Sequence, residues 1–193
     1  MRALQFLALV PVSIALVLAC SDSTGLPDPS LTNVTDTVTL YALEGTPVTT
    51  PSAYSVPDNR AVRLDQTSAF DFAYNTHTLP DGTRRQLFLP LQTLGLAPGI
   101  SAAPGLQRRS ETFDAITTAR SNGYITSDTI PFAVGDRFEI RSRIVSPCTS
   151  LGVPQYGKLE VLGVDSTART VTFQVLTDNN CGYRGLLPGL PPS

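Results

Sequence analysis

Apolar and polar residues alternate through much of the chain, and the clearest run lies in its last third. Over residues 137–144, Phe138, Ile140 and Ile144 fall on one face and Arg137, Glu139, Arg141 and Arg143 on the other, the period-two signature of a half-buried strand. Residues 158–164 and 170–176 follow, the latter with Val171, Phe173 and Val175 opposite Thr172 and Gln174. Between them Asp165-Ser166-Thr167-Ala168-Arg169 reads as the turn of a hairpin. Earlier strands are predicted over residues 37–43 and 60–64. Another is predicted where Phe70, Phe72 and Tyr74 alternate with Ala69, Asp71 and Ala73. Residues 85–89 pair with that strand across a loop containing Asp81-Gly82, and residues 124–126 form a further short strand. Residues 95–105, rich in Gly, Pro and Ala, form a loop. Ser110 as N-cap, with Glu111 and Asp114 in the first turn and Phe113 and Ile116 on one face, predicts a short helix over residues 110–116. Seven or eight short strands with one small helix describe an all-β domain over residues 34–185. Its expected form is an antiparallel β-sandwich of two packed sheets, with a barrel as the alternative. Residues 186–193, built on Pro188, Gly189, Pro191 and Pro192, should fray.

The first residues follow another pattern. Met1-Arg2 supplies a positive start, and residues 3–19 are apolar except for Gln5 and Ser13. A helix of that length spans only about 25 Å, short of the roughly 30 Å hydrocarbon core. With Pro11 in its middle it reads as a secretory signal over residues 1–19, not as a membrane span. The run ends in Val17-Leu18-Ala19-Cys20, which resembles the lipobox of bacterial lipoproteins. The resemblance implies that Cys20 becomes the first mature residue and carries acyl chains that moor the protein to a bilayer, two or more chains holding it stably. By the same analogy Ser21, in place of Asp, favours the outer membrane. Residues 20–33, polar and holding Gly25, Pro27 and Pro29, read as a flexible tether. Asn33-Val34-Thr35 is a glycosylation sequon only on a eukaryotic secretory route, which the lipobox argues against.

With Cys20 set aside, Cys148 and Cys181 remain, an even pair in a chain routed to an oxidising space. If the last three strands form a meander, the first and third end at the same edge, just before these two residues. A disulfide is therefore expected to clamp the 147–155 loop to the segment after the last strand. Neither cysteine lies in a C-x-x-C motif or near a His, so zinc and redox motifs are not indicated.

Composition narrows the chemistry. Of 193 residues, 14 are Lys or Arg against 16 Asp or Glu, which leaves no basic excess to neutralise nucleic-acid phosphates. Lys158 is the sole lysine, His77 the sole histidine, and Met1 the sole methionine. No nucleophile elbow, H-E-x-x-H, P-loop, dinucleotide fingerprint or EF-hand loop is present. Paired carboxylates need no motif, so Asp65, Asp71, Asp114, Asp128, Asp165 and Asp178 keep an envelope hydrolase open as one alternative. Asp178-Asn179-Asn180 offers either oxygen ligands for Ca2+ or an Asx turn, the turn being favoured. Arg84-Arg85 and Arg108-Arg109 suit an anionic ligand or lie solvated in loops. Tyr183 and Arg184, beside Cys181, are candidates for a rigid contact surface, with core packing of Tyr183 as the competing reading.

Several stretches taken in order carry a family resemblance. They are Ala69-Phe70-Asp71-Phe72-Ala73-Tyr74, Phe113-Asp114-Ala115-Ile116 leading to Tyr124 and Asp128, Phe138-Glu139-Ile140-Arg141, and Tyr156-Gly157-Lys158-Leu159-Glu160-Val161 with Val171-Thr172-Phe173. Together they resemble the HmuY-like outer-membrane lipoproteins, which are β-rich and bind haem. That resemblance implies the fold and the location. Haem in that family is held by pairs of His or Met, whereas here only His77 can serve, as a single axial ligand. The expected function is thus a lipid-anchored envelope module that binds a protein partner or small ligand, or scaffolds, without covalent chemistry or a required cofactor. Its binding loops are expected at 75–85 and 95–110. A haem or metal carrier and the paired-carboxylate hydrolase are the alternatives.

Overall fold

A computed structural model describes residues 25–96 and 103–192. Ten strands make two open antiparallel sheets packed as a sandwich, with no closed barrel. The strands are β1 (Thr35–Tyr41), β2 (Ala53–Ser55), β3 (Arg60–Val62), β4 (Phe72–Thr78), β5 (Arg84–Pro90), β6 (Gly105–Arg109), β7 (Ile130–Phe132), β8 (Arg137–Arg141), β9 (Tyr156–Asp165) and β10 (Thr170–Asp178). The first sheet runs β1-β10-β9-β8-β6 and the second β3-β2-β4-β5-β7. The expected meander of β8, β9 and β10 is present, with Arg141 opposite Tyr156 and Tyr156 opposite Asp178. Its hairpin turn is closed by the Asp165 carboxylate, which accepts from the backbone N–H of Thr167 and Ala168.

The core between the sheets holds Leu40, Tyr54, Phe72, Tyr74, Phe88, Phe138, Leu159 and Phe173, all fully buried. Phe88 stacks on Phe132 with ring centres 4.0 Å apart, and Phe72, Phe138 and Phe173 meet Phe88 edge-on or tilted. A bulge in β9 lets two valines three positions apart serve this core. Thr172 faces Gly163 but Phe173 faces Val161, so Leu162 is the extra residue and turns out to solvent.

The outer faces are partly covered too, which simple alternation does not announce. Behind the second sheet Ala53, Ala73 and Leu89 pack under Phe70 and Leu91, the latter opening a 3-10 turn at Leu91–Leu94. Behind the first sheet Tyr156 and Leu176 pack under Phe113, Ile116, Ala119 and Leu186. The helix expected over residues 110–116 is a single turn, in which Thr112 C=O accepts from Ala115 N–H and Ile116 N–H. Phe113 C=O accepts from Ile116 N–H, and the carbonyls of Phe113 and Ile116 both accept from Lys158 Nζ at 2.8 and 3.0 Å. Two β-branched threonines then follow, so the turn does not propagate.

Residues 27–33, read from the sequence as part of the tether, and residues 186–191, read as part of the fraying tail, are held to the domain and to each other. Asn33 and Gly189 exchange backbone hydrogen bonds at 2.9 and 3.0 Å. The Asn33 amide donates to Gly185 C=O and Leu187 C=O. Asn180 Oδ1 accepts from Ser30 N–H and Leu31 N–H while its Nδ2 donates to Leu31 C=O. The polar strap and the Pro- and Gly-rich tail are thus held by hydrogen bonds to partners distant in sequence. Cys20 and residues 1–19, expected to be a signal, lie outside the described residues.

Candidate functional site

The sandwich has two chemically different ends. Chain direction sets them: β1 starts, β8 and β10 finish and β9 begins at the end that receives residues 27–34, here called the near end.

At the near end Cys148 and Cys181 form the expected disulfide, with Cα atoms 5.2 Å apart. It ties the 147–155 loop to the segment after β10. Tyr183 is buried there and its hydroxyl donates to Pro27 C=O, so it packs against the strap of residues 27–33, while Arg184 stays exposed. Only Arg184 of that pair remains on the surface. Between strap and loop lies a cleft of ≈ 400 Å³ lined by Pro27, Leu31, Pro147, Leu151 and Cys181 with Asp28 among its polar groups.

Asp178-Asn179-Asn180 forms an Asx turn, since Asp178 Oδ1 accepts from Asn180 N–H and Asn180 Nδ2. Asn180 in turn pins the strap. Burial pushes the Asp178 carboxyl above its ordinary range, opposed by hydrogen bonds from Asn180 and Asn33. Asp178 Oδ2 and Asn33 Oδ1 are buried without a hydrogen-bond partner among the described residues. Among those residues no group of three or more His, Cys, Asp or Glu could hold a metal ion.

His77, Arg84 and Arg85 sit at the opposite, far end. His77 lies on β4 directly across from Arg85 on β5, and both are exposed. Arg84 Nη1 donates to Ser166 C=O at 2.8 Å and so joins the two sheets at that end. Of the two loops expected to bind, 75–85 holds the 79–83 turn at the far end, while residues 97–102 of the 95–110 stretch lie outside the described residues and residues 105–109 are strand β6, which runs from Gly105 opposite Arg141 at the near end to Arg109 opposite Arg137 at the far end.

Of the remaining candidates some are engaged inside the fold and others, Arg108 among them, lie at its surface. Arg108 pairs with Asp136 and stacks 4.8 Å over Phe138, and Arg109 pairs with Glu111 and the fully buried Glu139. Glu111 is held down to about 2, chiefly by the Arg109 guanidinium. Asp71, also buried, accepts from Val56 N–H, Arg143 N–H and Arg143 Nη1, and Arg143 Nη2 donates to Ser55 Oγ. Burial lifts Asp71 to about 6, with Arg143 pulling the other way. Asp65 pairs with Arg63 in a surface loop, Asp165 closes its turn, and Asp114 and Asp128 are exposed. None of the four described clefts is lined by two carboxylates.

Lys158, Asp71 and Glu139 are the consequential buried polar residues, and of these Glu139 is the one that alternation placed on the polar face of its strand. Burial lowers the Lys158 amine, opposed by Asp114, and its Nζ also lies 4.4 Å from the Phe113 ring centre. The signal available was their place inside apolar stretches that have covering segments on the outer face as well.

The class is thus an open two-sheet antiparallel sandwich, stapled at one end by a disulfide and strapped there by both flanking segments. No family model, curated protein or solved structure matches the chain.

Proposed function

We propose that this protein is a lipid-anchored module of the bacterial cell envelope that binds or scaffolds without covalent chemistry. The observation that carries the reading is the Cys148–Cys181 disulfide. A structural disulfide belongs to an oxidising compartment, and the apolar leader ending in Val17-Leu18-Ala19-Cys20 supplies the route there. The leader and the bridge are separate features of the chain that argue for the same compartment.

Support for binding over catalysis comes from how the polar groups are used. Asp71, Glu139 and Lys158 are each spent on holding segments against the sheets. The far end, with His77, Arg85 and the 79–83 turn, presents exposed side chains and is the surface offered to an envelope protein or small ligand.

Metabolic labelling with a fatty-acid analogue tests the anchor. Wild-type protein takes the label and stays with the membrane fraction, and Cys20→Ser takes none and is released. A wild-type chain that takes no label overturns the reading. Haemin added to the purified protein is expected to give no His77-dependent Soret shift. A shift lost in His77→Ala would favour the haem-carrier resemblance instead.

A further inference from the structure

Among the described residues ten large apolar side chains are exposed, and five of them lie on or beside the segments that close the near end. Leu31 (51% exposed) and Val34 lie in or beside the strap, Leu187 and Leu190 in the segment bridged to it through Asn33 and Gly189, and Leu151 across the cleft from Leu31. Scattered surface leucines need no explanation, but a cluster around one structural feature marks a contact surface. Hydrogen bonds hold this cluster in place, from Asn180 to residues 30–31 and from Asn33 to Gly185 and Leu187. Leu26 packs beside Gly182 and Val153, so the chain leaves the domain at the same spot.

The length of chain beyond that spot says what covers it. From Cys20 to Gly25 there are five residue steps, which reach at most about 18 Å. If Cys20 is acylated, the near end is therefore held within that distance of the lipid. Combining this reach with the apolar collar, we infer that the near end docks on the bilayer surface, Leu31 and Leu151 entering the interface and the far end pointing away. The inference rests on the acylation reading. Asp28 at the cleft rim and the exposed Arg184 beside Tyr183 offset one another in charge, so the contact is apolar and takes a zwitterionic headgroup layer.

The chain contains no Trp, which gives a clean optical test. Full-length acylated protein carrying Leu151→Trp, and separately Leu31→Trp, is reconstituted into phosphatidylcholine vesicles with or without brominated acyl chains. Val48→Trp, at the far end, is the control. Both near-end indoles are expected to be quenched by brominated lipid, the control to be unaffected, and the quenching to persist in high salt. Labelled, vesicle-bound protein with unquenched near-end indoles overturns the docking and leaves the anchor intact. Quenching at Val48→Trp as well, or quenching abolished by salt, also overturns it. Protein that carries no acyl label removes the anchor and the docking together.

Discussion

At the scale of single residues, the buried carboxylates make the sharpest predictions. Burial lifts the folded Asp71 pKa from 3.8 to about 6 against the pull of Arg143. The folded protein then binds that proton more tightly than the unfolded chain, so this group's contribution to stability falls as pH rises from about 4 to about 6 and is flat above. Asp71→Asn turns one of two accepting oxygens toward the Val56 and Arg143 N–H donors as an NH2 group, leaving a buried donor unpaired, and is expected to cost about 1 to 3 kcal/mol. In urea unfolding, the gap between wild type and Asp71→Asn should narrow as pH rises through that window; a gap that widens contradicts the assignment. Asp178 behaves differently because its Oδ2 is buried with no hydrogen-bond partner among the described residues and burial disfavours its charge. A neutral amide keeps the Oδ1 acceptor for Asn180 and removes the cost of the buried charge. Asp178→Asn is thus expected to stabilise the fold by about 1 kcal/mol at pH 7, read as a raised midpoint in thermal unfolding, and a lowered midpoint would refute it.

At the scale of elements, the disulfide and the termini carry the predictions. Cys148 and Cys181 are 33 residues apart, and a closed loop of that size contributes about 3 to 4 kcal/mol in the chain-entropy model. The Cys148→Ser, Cys181→Ser double variant should lose that much in denaturant unfolding, while a loss near zero would mean that the strap and loop hold without it. Removing residues after Gly185 takes away fully buried Leu186 and the Asn33–Gly189 bridge. That truncation should cost about 2 to 5 kcal/mol, and an unchanged midpoint would show the tail to be idle. These elements also show why some of the fold was readable. The β8, β9 and β10 meander alternates over long runs, so its topology and bridge followed from residue spacing. Strand β2 is three residues long and buried at every position, so no polar residue marks a period, and β6 opens at Gly105, inside the Gly-, Pro- and Ala-rich stretch read as a loop. β7 contains Pro131 and is tolerated only because it lies at a sheet edge. The strap looked like a linker because its partners, Asn180 and Gly189, are distant in sequence. For the candidate site, spacing placed Cys148 beside Cys181, but nothing local could reveal that His77 and Tyr183 lie at opposite ends.

At the scale of the whole molecule, the near and far ends are separated by the length of the central strands, nine residues in β10, or about 30 Å at strand rise. A shell at the near end holds the flanking segments, the disulfide and the apolar collar, and the far end holds the short turns 79–83 and 165–169. Because Asn33 and Gly189 are bridged, the beginning and the end of the folded domain emerge side by side. An epitope or fluorescent protein fused to the carboxyl terminus would be crowded against whatever lies beneath the collar. Labels inserted into the 79–83 turn, where Gly82 and Asp81 are exposed, would stand clear of it and leave both flanking segments undisturbed.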